Sequence, residues 1–199
     1  MTKLVLKLTV FTLLLLSAAS SMACVGRTLY IGAFETNESK IMAEMISTLI
    51  NERTGTTVQI RYFKSQEKLY TALKSDVEEE RADILVENTI DAMAVLGKTP
   101  GATSDQDLVV VKTAYEKDLS VIWLNPFGFK SSKGQATQSM SAPLVRRDVL
   151  TNFPLLPRVL NKLAGAITDQ AYTDLLAKVD GGDKPKNAAK DFLKLKKLI

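Results

Sequence analysis

Short β-type runs alternate with helical periods over the first two thirds of the chain, and this constrains its fold more than any other feature. The run Arg27 to Ala33 reads as a strand. It is followed by an amphipathic helix from Glu38 to Arg53 that places Ile41, Met45, Thr48 and Leu49 on one face and stops at Gly55. Thr56 to Tyr62 alternates as a second strand. Ser65 caps a second helix carrying Leu69, Leu73 and Val77, with Glu78, Glu79 and Glu80 at its exposed end. Ala82 to Val86 is short and mostly apolar, as a buried parallel strand requires, and Asn88 or Thr89 opens a helix reaching Leu96. Pro100-Gly101 breaks the chain before a capping box at Ser104 and Asp107, a helix from Leu108 to Lys117, and a buried strand from Leu119 to Leu124. Strand–helix alternation at this spacing predicts an α/β fold: a mainly parallel sheet with helices on both faces.

The pattern changes after residue 129. Lys130 to Met140 is polar without periodicity and reads as an exposed loop. Everything after it reads as helix. One segment follows Ala142-Pro143, another runs from Leu155 to Leu163, Thr168 caps a third through Val179, and the last spans Asn187 to Lys197.

The amino terminus addresses the compartment. Met1-Thr2-Lys3, the apolar run to Leu16 and the small residues through Ala23 have the three-part layout of a secretory signal peptide, so residues 1–23 are expected to be removed and residues 24–199 to form one domain. Cys24 is the sole cysteine and falls at the cleavage point. The same bond suits ordinary cleavage after Ala23 and lipoprotein cleavage with acylation of Cys24. Lipidation gives a reason for a lone thiol in an oxidising space, and a membrane anchor through Cys24 is the expectation. The signal segment holds Lys3 and Lys7 and no acid, so a net charge of +4 falls to +2 on its removal. That balance gives no electrostatic support for nucleic-acid binding.

The residue inventory argues against catalysis. There is no histidine, which excludes imidazole chemistry and imidazole metal sites. No Gly-rich phosphate loop follows a strand, and Glu78 to Glu80 reads as a solvated charge run. A non-enzymatic binding protein without cofactor or metal is expected. Open α/β sheets bind ligands at the carboxyl ends of their strands. Those ends carry Phe34, Glu35, Thr36 and Asn37; Tyr62 and Phe63; Glu87, Asn88 and Thr89; and Phe127 and Phe129. Aromatics and acceptors on one rim suit a cation over ring faces or an apolar contact with a protein.

Several segments carry a resemblance. They are Glu38 to Met45, Ala72 to Ser75, Ala82 to Thr89 and Trp123 to Phe129, then Ala142 to Leu150, Phe153-Pro154, Leu160 to Gly165 and Ala188 to Leu193. In this order they resemble the glycine betaine/choline/osmoprotectant-binding proteins of ABC transporters. The resemblance implies a periplasmic-binding-protein-like fold, an ABC permease as partner, a place in the periplasm or cell envelope, and a small quaternary ammonium ligand. Family members have two lobes with ligand between them, and the second is inserted where this chain has only Lys130 to Met140. A lobe of roughly a hundred residues does not fit there, so the chain resembles the first lobe alone. The family's cage tyrosine is replaced by Asn88, which leaves the ligand open. Without an opposing lobe, Phe34, Tyr62, Phe63, Phe127 and Phe129 are expected to face water. That favours a homodimer, or another protein covering the rim, over small-molecule capture. The alternative function is an interaction protein that keeps the fold and binds no small molecule.

Overall fold

The computed structural model describes residues 27–129 and 139–199. The expected signal segment, Cys24 and most of the expected loop therefore lie outside the described residues. Strand β1 is Leu29–Phe34, followed by helix α1 (Asn37–Thr54), β2 (Val58–Phe63), α2 (Gln66–Lys74), β3 (Ile84–Asn88), α3 (Thr89–Val95) and α4 (Ser104–Ala114). A π-turn, Tyr115–Leu119, leads from α4 into β4 (Val121–Trp123). Then come β5 (Ser141–Arg146), α5 (Arg147–Asn152), α6 (Leu156–Leu160) with a 3-10 turn (Asn161–Leu163), α7 (Asp169–Asp180) and α8 (Pro185–Leu195).

The expected helix starts and stops have physical causes in the structure. The Thr36 side chain accepts from Ser39 N at the start of α1, and Gly55 ends that helix at φ 70° with its N–H on the Asn51 carbonyl. Ser65 and Thr168 cap α2 and α7 as read. Two local expectations are corrected. Helix α2 ends at Lys74, short of Val77, because Ser75 turns the chain and its hydroxyl accepts from Val77 N. Helix α4 is capped by Thr103, whose side chain accepts from Gln106 N, while Asp107 accepts from Gly101 N at 2.7 Å.

The larger correction is β5. The chain after residue 140 was expected to be all helix, yet Ser141–Arg146 is a strand with every residue buried. The sheet order is β2-β1-β3-β5-β4. β1 pairs in parallel with β2 and β3, and β5 runs antiparallel between β3 and β4. Pro143 is tolerated in this inner strand because its carbonyl accepts from Leu124 N just beyond the end of β4, where the ladder has already stopped. The fold is thus a mixed α/β sheet in which only β5 opposes the common direction.

Helices cover both faces. One core joins Leu29, Ile31, Ile84 and Val145 of the sheet to α1, α6, α7 and α8; the other joins Leu85, Ala142 and Leu144 to α2, α3 and α4. Gly32 makes the second packing possible, since a Cβ there would lie 2.4 Å from Leu69 and 3.0 Å from Ala82. At the amino end of the strands, fully buried Asp83 accepts from Tyr30 N at 2.9 Å and pairs with Arg81 at 2.8 Å. Among the described residues, no helix is long and apolar enough to cross a membrane.

Candidate functional site

The order β2-β1-β3 makes β1 the point where the chain changes direction across the sheet. After β1 the connection runs to one side, and after β2 it returns to the other. The crevice between the carboxyl ends of β1 and β3 is where such a sheet leaves room for a ligand. A cleft of about 140 Å³ lies there, lined by Phe34, Thr36, Glu38, Ser39, Met42, Val86, Glu87, Asn88, Asp91, Phe129 and Ser141.

Each element contributes for a local reason. The β1–α1 turn brings Phe34 and Thr36 to the rim, and Phe34 N donates to Ser39 Oγ at 2.8 Å, which closes the turn. Asn88 is the cap of α3: its Oδ1 accepts from Asp91 N at 2.9 Å and its Nδ2 donates to Asp91 Oδ2 at 2.6 Å. Ser139 Oγ donates to Asn88 Oδ1 at 3.0 Å, and Met140 exchanges two hydrogen bonds with Thr89. Ser139 and Met140 are therefore buried, not part of an exposed loop. They lead β5 into the sheet with Ser141 opposite Asn88.

Glu87 is buried where β3 ends, with its side chain toward the α2–α4 face. Its Oε2 accepts from Tyr70 Oη at 3.0 Å and its Oε1 from Asn88 N at 3.0 Å, while Tyr70 and Tyr115 hydroxyls meet at 2.5 Å. When Glu87 is ionised, Tyr70 gives its one proton to the carboxylate, so Tyr115 donates to Tyr70. Burial pushes the Glu87 carboxyl up to about 7, helped by the charge of Asp91 and opposed by the Asn88 N–H. Burial first, and then the Glu87 charge, raises Tyr70 above the ordinary tyrosine range. Across the cleft, burial raises Tyr172, which also hydrogen-bonds Glu38.

Of the residues expected at the site, Phe34, Thr36, Glu87, Asn88 and Phe129 line the cleft. Thr89 is buried beside it, holding Met140. Asn37 faces away and donates to Asp180 at 2.8 Å, tying α1 to α7, and Glu35 is exposed at the rim. Tyr62 and Phe63 sit at the edge strand, over a separate groove between β2 and α2. The expectation of five water-facing aromatics is corrected. Phe127 and Phe129 are 1% and 3% exposed, because Phe129 stacks on Tyr172 of α7 at 4.2 Å and Phe127 lies parallel to it at 6.1 Å. Gly128, at φ 123° with its Cβ position 2.9 Å from Gly165, lets this pair fold inward. Phe34 and Phe63 are half-buried and only Tyr62, at 42%, is exposed. Glu38, Ser39, Asp91 and Ser141 were not read as site residues. The Asn88–Asp91 spacing carried a capping signal for one of them; Ser141 had none, because its strand was not recognised.

The chain is an α/β sheet covered on both faces with a cleft at its switch point, the architecture of a ligand-binding α/β protein. Comparison with known proteins narrows it. Residues 130–195 match the family OpuAC, the substrate binding domain of ABC-type glycine betaine transport systems. No curated protein sequence matches the chain significantly. Among solved structures, the chain is similar to a glycine betaine/carnitine/choline ABC transporter crystal structure, at TM-score 0.76 and 15% identity over 86% of this chain and 98% of that one. Apo YehZ from Escherichia coli gives TM-score 0.72 and 14% identity over 87% and 100% of the two chains. Lactococcal OpuAC, closed and complexed with glycine betaine, gives 0.50 and 12% over 84% and 95%. The resemblance to glycine betaine/choline-type substrate-binding proteins therefore holds in sequence over the last third of the chain, and in fold over most of it.

Proposed function

We propose that this chain is an exported, non-enzymatic binding module related to the substrate-binding component of a glycine betaine-type ABC transporter, and that it takes a small cationic solute in the cleft between β1 and β3. The observation that carries the reading is the position and lining of that cleft. It lies at the switch point of the sheet, and among the described residues the carboxylates of Glu38 and Asp91 line it without a basic side chain. In this reading residues 24–199 form one lobe, residues 130–140 stand where relatives carry a second, an ABC permease is the partner, and Cys24 bears the lipid that holds the protein at the envelope. The alternative, an interaction protein whose rim is covered by a second copy or another chain, is weaker, since Tyr62 alone of the five rim aromatics is exposed.

The test is a thermal-shift screen of the processed protein against betaine, choline, carnitine, proline and polyamines. A ligand at a hundred times its Kd stabilises the folded state by about 2.7 kcal/mol. For a domain of this size that raises Tm by roughly 5–10 °C. A screen in which no cationic solute shifts Tm, while the protein captures a second copy of itself, would replace this reading with the alternative.

A further inference from the structure

Charge is unevenly distributed along this chain. Residues 184–199 hold six lysines and one acid, Asp191, and the remainder of the processed chain is net negative. Such asymmetry points to a face that meets a polyanion. The fold turns the bias into a surface. Helix α8 buries Ala188, Ala189, Phe192 and Leu193 against the core, which leaves its lysines on the outer side. Lys190 pairs with Glu52 of α1 at 3.0 Å, while Lys194, Lys196 and Lys197 are exposed. Leu195 stands among them at 78%, the most exposed large apolar side chain among the described residues.

This surface lies on the side of the molecule where the proposed anchor begins. Helix α1 runs from the cleft, where Thr36 caps it, to the opposite end of the sheet. There Arg53 Nε donates to the Leu198 carbonyl at 2.6 Å, and Leu29 N donates to the Thr57 carbonyl at 3.0 Å. The end of α8 and the start of β1 therefore share the pole remote from the cleft. Exposed Arg27 is three residues from Cys24, a reach of at most about 11 Å. The acidic run Glu78 to Glu80 stands on the other face of the sheet, where Glu78 accepts from Tyr30 Oη at 2.8 Å.

We propose that Lys194, Lys196, Lys197, Arg53 and Leu195 form a face that lies on an anionic lipid surface and holds the cleft toward solution, an inference that rests on the Cys24 anchor proposed above. A membrane fits better than a soluble polyanion, because acyl chains on Cys24 bring this pole to the headgroups and because lipid, unlike a nucleic acid, can bury Leu195. Three lysines and one leucine hold the lobe only weakly by themselves, so the face orients what the anchor has delivered. The test uses the processed chain with Cys24→Ala, in which acyl chains do not contribute. It is sedimented with vesicles of phosphatidylcholine, alone or in equal parts with phosphatidylglycerol, at about 0.1 M salt, where the Debye length is about 10 Å. Binding should require phosphatidylglycerol. It should fall about fivefold for each of Lys194→Ala, Lys196→Ala and Lys197→Ala, and about a hundredfold for the three together. Replacing Lys64, Lys68 and Lys98, exposed lysines elsewhere, changes the net charge equally and should weaken binding far less. Equal loss in the two triple variants would overturn the face, since net charge alone would explain the binding. Equal binding to pure phosphatidylcholine would overturn its electrostatic basis, and equally tight binding of a DNA duplex would overturn the membrane as its partner. Absence of vesicle binding would overturn this inference and leave the anchor standing, because fractionation of the wild-type protein tests the anchor independently.

Discussion

Glu87 joins the cleft to the core. Its carboxyl closes a chain of hydroxyls running through Tyr70 to Tyr115, whose ring packs edge-on against Trp123 at 5.5 Å. Burial raises its pKa from 4.5 to about 7, so between those values the folded protein keeps a proton that the unfolded chain has released. Its contribution to stability is therefore full below pH 4.5 and is lost as pH rises through about 7. A shift of this size corresponds to roughly 3 kcal/mol. Asp83, raised by its own burial, acts in the same direction at the opposite end of the sheet. Urea unfolding of wild type and Glu87→Gln at pH 5 and pH 8 isolates the Glu87 contribution. The substitution should remove a drop of roughly 2–3 kcal/mol between those pH values. An identical drop in both proteins would show that Glu87 is already ionised at pH 5.

At the scale of elements, β5 determines whether the sheet is continuous. It buries Leu144 completely and joins β3 to β4, so truncation there acts on the second core directly. Leu144→Ala should cost about 2–5 kcal/mol. Amide exchange at Ala142 and Leu144 should be as slow as in β1; exchange as fast as in the helix termini would contradict a strand at this position. The same element shows where the sequence stopped being informative. β2 announces itself by alternation, β3 by a short apolar run bounded by a helix start, and α1 and α2 by local signals such as Gly55 and Ser65. β5 is buried on both faces, so it has no alternation, and it contains Pro143, which usually argues against an inner strand. The inward turn of Phe127 and Phe129 depends on Tyr172 and Gly165, tens of residues later, and no local pattern reports such a contact. The cleft was legible to the extent that its residues belong to the ends of β1 and β3. Ser141 reaches it through a pairing that only the assembled sheet creates.

At the scale of the whole molecule, the account places a single lobe at the envelope with its cleft accessible to solute. The anchor is tested by fractionation: Cys24→Ala should move the protein from the membrane to the soluble fraction, and a wild-type protein that is already soluble with an unmodified mature amino terminus would remove the lipid from the account. The central claim, that solute enters between β1 and β3, is tested most directly by recording amide resonances of the isotopically labelled processed protein during titration with betaine, choline and a polyamine. The account predicts progressive, saturable shifts at Phe34 to Ser39, Asn88 to Asp91 and Ser141, with the groove between β2 and α2 unchanged. Shifts confined to Arg61 to Phe63 and Glu67 to Ser75, or no shift at any residue, would contradict it.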